Sequence, residues 1–340
     1  MSKIAIAMTL TIAALIQGCV RDTQVQALSG ASMGSTWSVK YVGADASIAA
    51  TRSAVVARLD LVDRQMSTWK SDSDLSRFNS APAGTWHVLP DEVFGVLEEA
   101  LTLAGDTAGA YDPTVGPWVN LWGFGRDEGR REPPDAALID ALRARVGWQH
   151  VQIDRSGKRA WQAGGVHVDL SSIAPGFAVD LIADYLQEQS ISSFLVEVGG
   201  ELRAHGSKPD GTAWHVAIQR PLDNDTADDA VVAEHVLPLR DAALGSSGDY
   251  RHFFEDRGRR YAHRIDPRSG YPVDNGVASV TVMREHCIHA DSLATALSVL
   301  GVEQGIDYAN RHAIAALFIV RKDNGFEEHM TPAFAELLHE

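Results

Sequence analysis

The order of apolar periodicities along the chain constrains its fold more than any other feature. Residues 35–42 alternate like a strand. Residues 48–66 carry Val55, Leu59, Val62 and Met66 at helical spacing, and residues 90–107 repeat that pattern behind a starting proline. Residues 134–145 read as a short helix, 151–153 and 165–170 as strands, and 178–188 as a helix. Five strand-like stretches follow at 194–198, 214–219, 232–239, 242–245 and 278–282. Helices at 291–300 and 302–312 and a buried strand at 315–320 complete the series. Strand and helix do not alternate one for one, which disfavours a doubly wound parallel sheet. The expected fold class is α+β: one large domain, residues 31–340, with mixed or antiparallel sheets and flanking helices.

Apolar residues make up 45% of the 340 and charged residues 22%, enough for a proper core. The formal net charge of −15 argues against nucleic acid as a partner, because phosphate backbones need an excess of Lys and Arg. A small anionic ligand stays open if backbone donors or a metal neutralise it. The start of the chain has the anatomy of an export signal, with Lys3 before an apolar run too short to span a bilayer comfortably. Ile16-Gln17-Gly18-Cys19 resembles a lipobox, with Gln17 a poor fit at its position. Residues 1–19 are therefore expected to be a signal peptide, Cys19 to carry lipid, and residues 20–30 to form a tether. That leaves Cys287 without a disulfide partner, as a buried apolar residue at a strand-to-turn junction. The polar stretch 222–230 reads as a surface loop.

Five segments could carry chemistry. Gly109-Ala110-Tyr111-Asp112-Pro113, continuing to Trp122-Gly123-Phe124-Gly125, sets aromatics among glycines, a pattern suited to stacking on flat heterocycles or to a turn-rich piece of core. In Val168-Asp169-Leu170-Ser171-Ser172-Ile173-Ala174-Pro175-Gly176, an apolar run ends in Asp169 and feeds a helix start, where free N–H groups attract anions or Asp169 simply caps. Gly245-Ser246-Ser247-Gly248 could form a phosphate nest or a plain turn. His263-Arg264-Ile265-Asp266-Pro267-Arg268-Ser269-Gly270 offers a histidine able to take a proton near neutral pH, beside a turn started by Asp266. Asp291 and Thr295 lie four apart on one helix face, where carboxylate and hydroxyl can give Mg²⁺ two hard oxygens, or where Asp291 is only a cap. His286, Cys287 and His289 lack the paired spacings of zinc sites.

Together with Met33-Gly34-Ser35-Thr36, Ser67-Thr68-Trp69 and Ser76-Arg77-Phe78-Asn79, these segments resemble in order and wording the ApbE family of FAD:protein FMN transferases. The resemblance runs from about residue 33 to residue 300. It implies an ApbE-like, T-fold-related architecture and transfer of the FMN half of FAD to a Thr or Ser hydroxyl of a target flavoprotein, with release of AMP. Such targets are typically subunits of membrane redox complexes. By the same resemblance, Met33, Trp69, Ala110, Tyr111, Asp112, Asp169, Pro175 and Ile265 would contact FAD. Mg²⁺ would be held by Asp291, Thr295 and the main-chain carbonyl of Ser172, and His263 would be the base. Pro175 stands where the family often has Lys or Glu, so a side-chain contact is lost there. Ser246-Ser247-Gly248 and Ser269-Gly270 replace Thr-Ser-Gly and Thr-Gly and keep the hydroxyls.

The anchor would lie on the periplasmic side of a bacterial membrane, the inner one in preference to the outer, although Val20 supplies no retention signal. Three other functions compete. An FAD pyrophosphatase would use the same metal site and release free FMN. A non-catalytic FAD-binding lipoprotein would have a defective metal site, and a solute receptor would need two βαβ-rich lobes that the pattern lacks.

Overall fold

The computed structural model describes residues 24–43, 48–126, 130–221, 232–250, 252–323 and 325–339. The expected signal peptide, Cys19, residues 20–23 and the 222–230 loop lie outside them. No helix among the described residues is long and apolar enough to cross a membrane.

Eight strands form the central sheet: β1 (Gln24–Ser32), β2 (Ser35–Gly43), β3 (Phe194–Val198), β4 (Glu201–His205), β5 (Ala242–Gly248), β6 (Val277–Arg284), β7 (Ala315–Lys322) and β8 (Gly325–Met330). They lie side by side in sequence order, and every neighbouring pair is antiparallel. The α+β expectation holds, and the architecture is an antiparallel meander interrupted by inserts. Helices α1 (Ile48–Met66), α2 (Asp91–Asp106) and α3 (Ala174–Glu188) sit between β2 and β3, and α4 (Cys287–Arg311) sits between β6 and β7. Their apolar faces build the main core with Val39, Tyr41, Val196, Val280 and Val282 of the sheet. A hairpin of Trp214–Gln219 and Ala233–Leu239 forms a second core with Leu244, Leu317, Ile319 and Phe334. β6 is buried along most of its length, and Ser279 and Thr281 are buried with its apolar residues.

The sequence misled in four places. Residues 24–30 are not tether but most of β1. Gln26 and Leu28 point inward while Val25 is exposed, so the hydrophobic alternation is inverted there. Residues 165–170 join no ladder. Instead the Asn79 amide brackets Val168, donating to its carbonyl and accepting from its N–H, both at 2.8 Å. A side chain takes the place of a strand. Gly245–Gly248 is neither nest nor turn, because β5 runs through it with Ser246 opposite Thr281 and their hydroxyls 3.0 Å apart. Cys287 follows β6 as expected but opens α4 instead of lying in a turn. It is buried as expected, and burial raises its thiol pKa. By contrast, the break expected between residues 300 and 302 is present, because Gly301 has φ 79° and ψ −179° inside α4.

Helices α3 and α4 cap each other. Asp180 of α3 accepts the N–H groups of Cys287 (3.0 Å) and Ile288 (2.9 Å) in the first turn of α4. Asp291 of α4 accepts the N–H of Gly176 (2.9 Å) in the first turn of α3. Each carboxylate satisfies donors that a helix start leaves free. Arg203 on β4 neutralises Asp180 at 2.8 Å, with both side chains buried. Replacing Asp180 with Ala orphans two N–H groups and strips a buried guanidinium of its main partner. The expected loss is about 3 kcal/mol of unfolding free energy by urea denaturation, against under about 0.5 kcal/mol for alanine at exposed Asp307.

Candidate functional site

The reciprocal cap is possible only because two glycines let backbones approach. A Cβ on Gly176 would stand 2.5 Å from the Cys287 carbonyl oxygen and 2.8 Å from Asp291 Cβ. A Cβ on Gly245 would stand 2.5 Å from the Ala290 carbonyl carbon. Asp291 is thus clamped between α3 and β5. It is buried, and that burial pushes its pKa up to about 7 against the pull of the Gly176 N–H. Only one of its oxygens has a hydrogen-bond partner among the described residues. Thr295, half-buried, follows one helical turn later on the same face.

Ser172 lies on the turn entering α3, and its Oγ is 3.1 Å from the Tyr111 hydroxyl. Burial, with Asp291, Asp169 and Asp112 nearby, raises the Tyr111 pKa, so its hydroxyl stays protonated and can donate. Tyr111, Ser172, Asp169 and Asp291 therefore share one neighbourhood. A buried carboxylate with a spare oxygen, beside a hydroxyl, is the hard-oxygen chemistry that Mg²⁺ takes, so these residues fit the ion. Among the described residues no three His, Cys, Asp or Glu side chains cluster as metal ligands. His289 instead meets Glu99 at 3.3 Å.

Other expected residues have different partners. Asp112 spends one oxygen on its own loop and the other on Trp148. Oδ1 accepts the Thr114 N–H (2.8 Å) and hydroxyl (2.6 Å), and Oδ2 accepts the Trp148 N–H (2.9 Å). Its side chain orders the Ala110–Tyr111 turn, and Ala110 is fully buried. Asp169 Oδ1 accepts from the Ser171 N–H (2.9 Å), leaving Oδ2 for other work. Met33 occupies the β1–β2 turn at φ 53°, and Trp69 is 51% exposed, a bare aromatic face at the surface. Pro175 falls in the first turn of α3, where a missing N–H costs nothing. Two cavities, of about 390 and 520 Å³, share Asn120 and His167. None of the expected residues lines them, but Thr68 and His167 place them beside Trp69 and Asp169.

His263 stands on the insert between β5 and β6. Its backbone N–H (3.0 Å) and its Nδ1 (3.1 Å) both meet the His252 carbonyl. A carbonyl accepts only, so Nδ1 carries the proton and Nε2 keeps its lone pair. Burial first, then Arg264 and His252, lower the His263 pKa to about 4, and the ring is neutral at pH 7. Ile265 is buried in a satellite cluster with Trp118, Trp122 and Phe254, so its side chain is core. Asp266 orders the turn, binding Arg268 through both oxygens.

The family model described as "ApbE family" matches residues 33–318. The chain belongs to the ApbE family. The FAD:protein FMN transferase of Haemophilus influenzae is 41% identical over 98% of this chain and 96% of its own length. That of Vibrio cholerae is 40% identical over 95% and 96%. Among solved structures, the apo flavinyl transferase ApbE of Pseudomonas stutzeri superposes with a TM-score of 0.85 at 42% identity, covering 94% of this chain and 98% of its own. The Vibrio cholerae flavin transferase ApbE gives 0.84 at 40%, covering 93% and 100%.

The sequence missed Asp180 and Gly176 as supports of this ApbE site. An available signal was that Gly176, Val179, Asp180 and Ala183 share one buried stripe of α3, so a carboxylate sat where only a paired one is tolerated. Gly245→Ala is expected to push Asp291 out of place at a cost of about 1–3 kcal/mol. Calorimetry should show the lower melting temperature, and Mg²⁺ titration of FAD turnover should show a raised half-saturation.

Proposed function

We propose that the chain transfers the FMN moiety of FAD to a Thr or Ser hydroxyl of a target flavoprotein, releasing AMP, with Mg²⁺ held by Asp291, Thr295 and the Ser172 carbonyl. Family membership over nearly the whole chain supports the activity. The observation that carries the mechanism is the clamped Asp291 with its spare oxygen beside Thr295 and Ser172. Bound Mg²⁺ supplies positive charge for a pyrophosphate, which a chain of net charge −15 otherwise lacks.

The residues divide the work. Trp69 offers a face for stacking, Tyr111 a protonated hydroxyl, and Asp169 a carboxylate oxygen for a ring or amine N–H. His263 Nε2 accepts the proton of the attacking hydroxyl. The new bond joins that oxygen to the FMN phosphorus, the bond from this phosphorus to the bridging oxygen breaks, and AMP leaves with its electron pair. Lipid on Cys19 would hold the enzyme on the periplasmic side of a bacterial membrane, within reach of redox-complex subunits. The signal anatomy of residues 1–19 supports this anchor.

A denaturing gel of the mature chain with FAD, Mg²⁺ and a redox-complex flavoprotein subunit tests the reading. A fluorescent acceptor band that EDTA abolishes is expected, whereas free FMN and AMP without a band would identify a pyrophosphatase. Asp291→Ala should remove Mg²⁺-dependent transfer while FAD still binds, as read by flavin fluorescence. His263→Ala should slow transfer about 10²-fold or more, with a smaller effect on FAD binding.

The pH profile follows from the lowered His263 pKa. Between about 4 and 6.5 the unfolded chain binds a proton that the native ring refuses, so this group's contribution to stability is full above 6.5 and is lost as pH falls toward 4. The acid limb of transfer should accordingly lie near pH 4, not near 6.5, in initial rates at saturating FAD.

A further inference from the structure

The turn between β1 and β2, the turn between β3 and β4, the end of β5 and the start of β6 lie at one end of the sheet. At that end, hydrogen bonds lead from the metal side of the site to the His263 side. Gly301 breaks α4 into two helices, and the first half then needs partners for its last carbonyls. Ser298 Oγ donates to the Thr295 carbonyl at 2.7 Å. Asn275 Nδ2 donates to the Ser298 carbonyl at 2.9 Å. Asn275 packs closely on residue 301, where a Cβ would lie 3.1 Å from Asn275 Nδ2. Asn275 Oδ1 accepts the Val277 N–H at 3.1 Å, and the Val277 carbonyl accepts from Arg264 Nη2. Arg264 is the residue after His263.

Arg264 is a poor choice for stability alone. It is 5% exposed, and among the described residues its Nε and Nη1 are buried without partners. The nearest carboxylate, Asp249, is bound through both oxygens to Arg321 at 2.9 and 3.1 Å and reaches Arg264 only at 3.8 Å. A buried guanidinium so incompletely paired costs more than an apolar side chain of similar volume. Its one close bond is the link to Val277.

We propose that Asn275 and Arg264 are positioning residues, a strut that fixes His263 against the Thr295 turn of α4 and so favours phosphoryl transfer to a protein hydroxyl over transfer to water. The inference rests on the flavin-transfer reading above. Transfer needs the acceptor hydroxyl and the pyrophosphate held at a set spacing, and a misplacement of about 1 Å costs about 10²-fold in rate. Hydrolysis is less demanding, because a water molecule can adjust to either half of the site.

The test compares the mature wild type with Asn275→Asp and Arg264→Met. Each is given FAD, Mg²⁺ and the flavoprotein substrate of the Vibrio cholerae relative, with that relative as positive control. Protein-bound flavin is read by in-gel fluorescence and free FMN by chromatography. Asn275→Asp keeps the acceptor for Val277 but loses the donor to Ser298. Arg264→Met removes the buried charge and should leave the melting temperature unchanged or higher. The expected result in both is a fall of about 10-fold or more in bound flavin, with free FMN within about two-fold of wild type. Because Arg264 lowers the basicity of His263, a purely electrostatic role predicts faster transfer in Arg264→Met. Faster transfer, an unchanged ratio of bound to free flavin, or parallel loss of both would overturn the strut. No bound flavin with the wild type, while the relative labels its substrate, would overturn the transfer reading and the strut with it.

Discussion

The site depends on two carboxylates that exchange roles between helices. Asp180 closes the start of α4 and Asp291 closes the start of α3, so neither helix can shift along its axis without breaking the other's cap. The packing that these caps lock in place also buries Asp291, and the burial raises its pKa. Stability and chemistry are therefore coupled at one residue. The carboxylate must leave water to serve as a cap, and once buried it favours a cation over solvent.

The meander explains how such a site can be assembled without alternating β and α units. Strands that neighbour one another in sequence also neighbour one another in the sheet, so the connections are free to carry inserts. The insert between β2 and β3 brings Trp69, Tyr111, Asp169 and Ser172. The insert between β5 and β6 brings His263, and the one between β6 and β7 brings Asp291 and Thr295. Small anchors hold the first two inserts. Asn79 holds the Val168 segment, Asp112 ties its loop to Trp148, and Ile265 sits among the aromatics of the satellite cluster. Residues that looked like ligand contacts in the sequence thus divide into those facing the site and those that brace it.

What the sequence revealed depended on whether a signal was local. The Asp291–Thr295 spacing is a helical-face relation, and the break at Gly301 follows from a glycine between two apolar patterns, so both were legible. The role of Asp112 was not, because the partners of its second oxygen lie 36 residues away at Trp148. Strand β1 was hidden because it buries Gln26 and exposes Val25. Ser246-Ser247-Gly248 has turn composition yet forms a strand, since β6 supplies a ladder and Gly245 admits the backbone of α4. In each case a tertiary contact overrode a local preference.

The two titratable groups central to the reading move in opposite directions for one reason. Burial raises Asp291 toward 7 and lowers His263 toward 4, and in both it disfavours the charged form. Apart from any metal, these two groups thus hold less charge than they would in water. That suits a substrate which brings several negative charges and must give up only one of its phosphates. A neutral imidazole can take a proton without first repelling or trapping the pyrophosphate, and a carboxylate held at a helix start becomes a metal ligand when positive charge arrives. Such opposed shifts are the pattern by which buried pairs take on separate acid–base roles. Here they also keep a protein of net charge −15 from presenting an ionised wall to an anionic ligand.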